Sequence, residues 1–493
     1  MVSDINGRTT RAYYYPFHLL LAAMLASSLV GCATGPDFER PSLAVTPNYT
    51  ARDMPTQTAS SPVAFGVAQL IREDATVDSQ WWRTLGSERL NALIEQAFHA
   101  NPTLESANAT LRQAQELYSS QAGATQVPHV DLALGQQRQR FNPSAQGQTG
   151  DPREFNLYSA GIGVHYQVDL SGANSRALEA LAAKIEYRRF ELEASQLTLA
   201  GNIVSAAITQ ARLAGQTQAT EAILRAQDEQ LLIVKKQVAL GHGIADEISL
   251  LQVQAEQTRA DLVSLRKQSR QIEHLLLVLA GRSPGDPDVP HFVLENFVLP
   301  SDLPLILPAN LVRHRPDIRG AEELLHAANA EYGVAVAKLY PQINLSASFG
   351  SQALTTSALF GSSAAVWSVI GQITQTLFNP GLTAEKRASL AALDAAAANY
   401  RKVVLEALRS VADVLRDVEA DAQSVASRAT ISAASKELAE SSRRQYAHGT
   451  ISYFQLLTAE QQEQHSRINL IAAQAQRLAD SAALYQSMAG SAD

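Results

Sequence analysis

The chain's only thiol, Cys32, sits where a thiol would carry lipid. Leu29-Val30-Gly31-Cys32 closes an apolar run from Phe17 to Val30, with Arg8 and Arg11 supplying positive charge before it. Small residues ahead of the thiol let a peptidase approach. The sulfur takes a diacylglyceryl group and cleavage leaves Cys32 N-terminal, acylated with a palmitate-type chain. The run is shorter than the ~20 residues that a membrane-spanning helix needs, so residues 1–31 read as a lipoprotein signal peptide. A lone cysteine excludes an intramolecular disulfide. Catalytic signatures are missing: there is no G-x-x-x-x-G-K-[ST], H-E-x-x-H or G-x-S-x-G. Ser264-Leu265-Arg266-Lys267 matches S-x-x-K but has no companion motif. The expectation is a protein that is not an enzyme, with no metal site and no cofactor beyond the lipid on Cys32. Without a nucleotide site it would drive no energy-requiring step by itself. Removing residues 1–31 takes away Arg8, Arg11 and Asp4 and carries the net charge from −8 to −9, a poor balance for binding nucleic acid.

The elements that would position such a chain are written twice. From Leu382 to His448 there are 67 residues without Gly or Pro, then Gly449, then 40 more to Ala489. No Pro falls between Pro152 and Pro284, and Ala239-Leu240-Gly241-His242-Gly243 interrupts that run much as Tyr446-Ala447-His448-Gly449 interrupts the other. A helix of 67 residues reaches ~100 Å at 1.5 Å per residue, long enough to bridge a distance. Gly243 and Gly449, 206 positions apart, are the expected tips of two helical hairpins, since a tight reversal favours positive φ. Asn101-Pro102 and Arg315-Pro316 punctuate the two halves before a helix in each. Leu390, Ala397, Val404, Val411, Val418 and Val425 recur every seven residues, with Leu393, Tyr400, Ala407 and Val414 between them; this is coiled-coil spacing. Apolar residues are 46% but aromatics only 6%, which suits close helix packing.

Period-two alternation marks four strands. Pro128 precedes Val130, Leu132 and Leu134; Pro341 precedes Ile343, Leu345, Ala347 and Phe349. The second strand of each copy carries Tyr158 through Leu170, and Trp367 through Leu377, after polar loops at 142–154 and 352–364. Four strands cannot close a barrel, and an open edge is untenable in lipid. Several chains must pool strands; three give twelve, an even number within the known range of such barrels, although closure alone also admits a tetramer. The organisation expected is a signal peptide (1–31), a lipidated extended linker (32–80), a first repeat (81–290) and a second repeat (291–493), each repeat being helix, two strands and long hairpin.

Trp81-Trp82-Arg83-Thr84-Leu85, Ala100-Asn101-Pro102, the block Leu311-Val312-Arg313-His314-Arg315-Pro316-Asp317-Ile318-Arg319, Tyr340-Pro341 and Gly35-Pro36-Asp37-Phe38-Glu39-Arg40-Pro41 together resemble TolC-like outer-membrane efflux proteins, in their NodT-type lipoprotein branch, over nearly the whole mature chain. The resemblance implies a mixed α/β membrane protein: a homotrimeric, twelve-stranded transmembrane β-barrel in the outer membrane, continued into the periplasm by an α-helical coiled-coil barrel. It implies a passive exit duct of a tripartite pump, joined by a periplasmic adaptor to an inner-membrane transporter of the RND type. Alternatives are a duct for type I protein secretion, or a lipid-anchored periplasmic scaffold, which would have no use for amphipathic strands.

Carried over by resemblance, the adaptor would touch Leu240, Gly243 and Ile244 at the first tip and Ala447, Gly449 and Thr450 at the second. The pore constriction would lie just beyond the second tip, where Phe454 matches the family's apolar position. Gln455 and Thr458 stand where the family carries acids, so a ring of carboxylates is not expected there. Water exclusion by Phe454 is the expected closure. Asp246 and Glu247 would supply charge near the first tip, although acids there also suit a helix start. Tyr446 matches a latch tyrosine whose partner position is Ser249, weaker than an acid. His242 and His448, each ahead of an expected tip glycine, would offer six imidazoles in a trimer, titrating near pH 6.5.

Overall fold

The proline breaks and glycine turns of the sequence become element boundaries in the computed structural model, which describes residues 34–490 apart from 43–45, 53, 74–76 and 148. The signal peptide and Cys32 lie outside the described residues. In order the elements are β1 (Leu70–Glu73), α1 (Glu88–Ala100), α2 (Pro102–Thr125), β2 (His129–Phe141), β3 (Arg153–Val168), α3 (Ala173–Ala239), α4 (Ala245–Leu279), β4 (Asp302–Leu305), α5 (Pro308–His314), α6 (Pro316–Ala337), β5 (Gln342–Ala353), β6 (Ala365–Thr374), α7 (Pro380–Ala447) and α8 (Tyr453–Met488). Pro102 and Pro316 open α2 and α6, where a missing N–H leaves no helical bond unmade. The chain divides into two compact units, one of residues 112–186, 322–399 and the segment up to 41, the other of 42–111, 187–321 and 400 onward. Both long helices, α3 and α7, contribute to each unit.

The first unit holds an antiparallel sheet in the order β2-β3-β5-β6. Its register brings Leu132, Ile162, Phe349 and Trp367 into one cross-strand row, and Val130, Val164, Ala347 and Val369 into the next. That face is apolar yet open: Leu132, Phe349, Trp367 and Val369 are 68–75% exposed. On the opposite face Asp131, Gly163, Ser348 and Ser368 form a row, with the two serine hydroxyls 2.9 Å apart. Strands β2 and β6 are the sheet's two unpaired edges. Leu170 and Leu377, expected at strand ends, fall beyond β3 and β6; alternation continued past the last ladder bond, and periodicity cannot report where pairing stops.

Also in this unit, residues 34–40 are pinned rather than loose. The buried Arg176 guanidinium bonds Asp37 and Glu179 at 2.7 Å, Asn329 donates to the Pro36 carbonyl at 2.9 Å, and the Phe38 ring stacks on His326 at 4.4 Å.

The second unit is helical apart from a two-stranded parallel sheet, β1 beside β4, which period-two reading does not detect in four-residue strands. Trp81, Trp82, Leu85, Leu90 and Ile94 are buried with Ile203, Ile208, Phe292 and Leu478 in its largest apolar cluster. The seven-residue stripe of α7 is buried at Val404, Val411, Val418 and Val425 in this unit, whereas Leu390 in the first unit is 42% exposed. Arg477, fully buried, donates to the Phe65 and Val67 carbonyls at 2.9 Å and ties residues 58–69 to α8.

Candidate functional site

The two hairpin tips, both in the second unit, are built on one backbone plan. At the end of α3 the N–H of Gly241 bonds the Val238 carbonyl and that of His242 the Gln237 carbonyl. At the end of α7 the N–H of Gly449 bonds the Tyr446 carbonyl and that of Thr450 the Gln445 carbonyl. This paired 5→2 and 6→1 pattern is a Schellman closure. Its left-handed residue is Gly241 (φ +78°) in the first copy and Gly449 (φ +71°) in the second.

The expected equivalence of Gly243 and Gly449 is therefore corrected. The copies register Gly241 with Gly449, 208 positions apart, and Gly243 has no positive φ. Its glycine serves a different need, because a Cβ there would stand 2.8 Å from Val238 Cγ2 and 3.2 Å from the Val238 amide nitrogen. Of two glycines spaced by two, spacing cannot tell which is left-handed; the hydrogen bonds can. The same register pairs His242 with Thr450 and His448 with Leu240, so the two exposed histidines are not duplicated partners.

Beyond the turns the copies diverge. Helix α4 starts at Ile244, which offers no side-chain cap, and has Asp246 and Glu247 in its first turn, where carboxylates complement the exposed N–H groups. Helix α8 starts at Ser452, whose hydroxyl accepts from the Gln455 N–H, while Gln455 Oε1 accepts from the Ser452 N–H at 2.9 Å. This reciprocal capping box was present in the sequence as Ser-x-x-Gln and is the signal that identifies Gln455 as part of a helix start.

One apolar cluster lies under both tips: Val234, Leu251, Tyr453, Leu456 and Leu457 are buried, with Val238, Ile248, Tyr446 and Ile451 packed against them. The Tyr446 and Tyr453 rings meet at 5.4 Å between centroids. Burial, and then the Glu247 carboxylate, push the Tyr446 hydroxyl above its ordinary range. Each hairpin is also stapled by ion pairs, Arg259 to Asp228 at 2.7 Å in the first and Arg443 to Glu460 and Glu463 at 2.9 Å in the second.

The residues singled out by sequence thus fall into two groups. Phe454 (64% exposed) and Thr458 stand one turn apart on the open face of α8, with the Thr458 hydroxyl donating to the Phe454 carbonyl at 2.9 Å. Tyr446 is instead inside the cluster. Leu240 and Ile244 are 74% and 64% exposed; Asp246, Ser249, Ala447, Gly449 and Thr450 are exposed, and Gly243 and Glu247 half-buried. Ser264 and Lys267 are both exposed on α4, and Ser264 accepts a bond from Gln268.

A family model described as outer membrane efflux protein matches residues 93–282 and 307–490, well over half of the chain. Among curated proteins the chain is similar to the cation efflux system protein CusC of Escherichia coli, 25% identical over 96% of this chain and 99% of that protein. It is also similar to the toluene efflux pump outer membrane protein TtgI of Pseudomonas putida, 27% identical over 94% of this chain and 96% of that one. Among solved structures the outer-membrane channel OprN matches with a TM-score of 0.83 and 27% identity, over 93% of this chain and 99% of that one.

Proposed function

This chain belongs to the outer membrane efflux protein family, and from that premise we propose that it is the passive exit duct of a tripartite pump, a lipid-anchored homotrimer fed by an inner-membrane transporter through a periplasmic adaptor. The single observation that carries the reading is the sheet of the first unit. Four strands present two adjacent apolar cross-strand rows on an open face and leave two edges unpaired. In lipid every backbone donor and acceptor must be paired. Edge β2 of one copy against edge β6 of another meets that demand, and twelve strands from three copies close a cylinder.

Cys32 carries the lipid in this reading. Support comes from the lipobox and from the segment that follows it, in which Thr34 is bonded to Ser171. The gate in this reading is the open face of α8, with Phe454 closing the bore by excluding water and Thr458 beside it. Tyr446 acts through packing on Tyr453 rather than through Ser249. The tip residues Leu240, Ile244, Ala447 and Thr450 form the adaptor-facing surface. That one relative is named for cations and another for toluene supports placing cargo choice in the transporter, which for this chain we take to be of the RND type.

The test is reconstitution. Protein extracted from membranes in detergent should run as a trimer and conduct ions in planar bilayers; a monomer without conductance would overturn the reading. Phe454→Ala should raise single-channel conductance, and Cys32→Ser should abolish incorporation of labelled palmitate while leaving conductance intact.

A further inference from the structure

The face of β2 that carries Val130, Leu132 and Leu134 continues through Gln136 to Arg138 and Arg140, because residues spaced by two share a face. Helix α2 leads into β2 and β3 leads out to α3, so the two arginines stand at the opposite end of the sheet, beside the turn at 142–152. Arg138 lies four residues past Leu134, about 14 Å along the strand and about 10 Å in depth once the strand tilts by ~40°. Tyr158, paired with Gln136, stands between the apolar rows and the arginines, the level of an aromatic girdle. Glu154 is directly opposite Arg140 in register but reaches diagonally to Arg138, at 3.1 Å, and leaves that arginine side chain 73% exposed. Arg140 is exposed and has no ion pair among the described residues. The other acid at this end is Asp151, in the turn. The β5–β6 hairpin has no charged residue at all from 342 to 374.

We propose that Arg138 and Arg140 bind the phosphate of a phosphorylated lipid in the outer leaflet, at the edge where one copy's β2 meets the next copy's β6. The inference rests on the duct reading, which sets the helices in the periplasm and the 142–152 turn outside. An arginine on a lipid-facing strand is strongly destabilising at the bilayer midplane and nearly neutral at the interface, which suits both positions. Their side chains start about 7 Å apart, close enough for both to reach one phosphate, and each guanidinium can donate two parallel N–H bonds to its oxygens. The neighbouring β6 brings no carboxylate to the seam, so Glu154 and Asp151 are the acids left to compete with the lipid. Acyl chains below the phosphate would then lie along the apolar rows and cover the joint between copies.

The full-length protein in detergent is titrated with lipid A, with dephosphorylated lipid A and with inorganic phosphate, and bound lipid is counted by native mass spectrometry. Saturable lipid A binding is expected, weakened about tenfold when Arg138→Gln and Arg140→Gln are combined and weakened as much by removing the phosphates. Glu154→Gln should instead tighten it, because Arg138 is released to the lipid. Arg153→Gln is the control: it deletes the same charge at the same end, but Arg153 pairs with Phe141 on the opposite face, so binding should not change. Four results overturn the proposal: no lipid A bound by the parent, equal binding of the dephosphorylated lipid, equal losses in Arg153→Gln and the double variant, or free phosphate bound as tightly as lipid A. Conductance of the parent in planar bilayers reads the duct separately. A conducting trimer that gives any of these results loses this proposal alone, whereas a chain that neither trimerises nor conducts loses both.

Discussion

The first tip, Ala239–Ala245, and the second, Ala447–Tyr453, close with the same hydrogen bonds and the same left-handed glycine, then begin the returning helix by different chemistry. One relies on Asp246 and Glu247 beneath an uncapped Ile244; the other on the Ser452–Gln455 box. At the position where the first copy has Ala245 the second has Tyr453, and where the first has Asp246 the second has Phe454. The backbone plan is what a hairpin requires. The side chains past the turn are free to differ, and they put an acidic, open start in one copy and an aromatic, anchored one in the other. An asymmetric pair of tips can present two surfaces from a duplicated fold.

The largest break in the comparison should come from the buried tyrosine. Tyr453→Ala removes a side chain 4% exposed at the centre of the shared cluster, and large-to-small changes of this type cost about 3–5 kcal/mol. Amide hydrogen exchange should show the second tip opening far more readily. Its counterpart, Ala245→Gly, lies on an exposed residue and should cost no more than about 1 kcal/mol. Equal losses at the two positions would mean that the cluster does not anchor the second tip.

The turns themselves should respond alike. Gly241→Ala and Gly449→Ala each force a Cβ into left-handed backbone at a cost of about 1–2 kcal/mol, and neither Cβ would meet another atom within 4 Å. Gly243→Ala fails for another reason, collision with Val238, so Val238→Ala should relieve the side-chain part of it, the tighter contact, while leaving the Gly241→Ala penalty untouched. If Val238→Ala rescued both, the distinction between the two glycines would fall.

Most of the architecture was legible because it is written in residues with strong local rules. Pro102, Pro316, Pro128 and Pro341 mark real boundaries, the seven-residue stripe from Val404 to Val425 is buried, and alternation locates all four strands of the larger sheet. What escaped reading is what depends on partners distant in sequence. The β1–β4 pair joins residues more than 200 positions apart, and Arg477 is buried only because residues 58–69 supply it with oxygens. At the site, the resemblance assigns Phe454 to the constriction and Tyr446 to a latch beside it. Their separation into an open face and a packed cluster follows from helical rotation between two elements, which no single stretch encodes. Gln455 is legible as a cap from Ser-x-x-Gln, while the resemblance sets it at an acid position of the constriction.

A smaller change should make the tips alike. Ser452→Ala removes the cap of α8 and should cost about 1 kcal/mol, read as faster exchange of the first-turn amides. Ile244→Ser does the converse. It would create Ser-x-x-Glu with Glu247 at the third helical position, a capping box in the first tip, and should gain a few tenths to 1 kcal/mol provided the exposed Ile244 makes no contact of equal worth. A loss of stability there would show that Ile244 packs rather than merely precedes the helix.

The smallest effect tests whether the tips are electrically joined at all. Burial first, and the Glu247 charge second, hold the Tyr446 hydroxyl above its ordinary range, and Glu247 lies on α4 just past the first tip whereas Tyr446 lies on α7 just before the second. Glu247→Gln should therefore lower the Tyr446 titration only part of the way, with burial keeping the rest of the shift, as followed by the phenolate absorbance against a Tyr446→Phe reference. The sign follows from charge: a carboxylate disfavours a neighbouring phenolate, so its removal eases ionisation. The same substitution also removes one of two acids complementing the start of α4, worth about 0.3–1 kcal/mol at an exposed helix end. An unmoved titration accompanied by that loss would confine Glu247 to its own helix and leave the two tips coupled through packing alone.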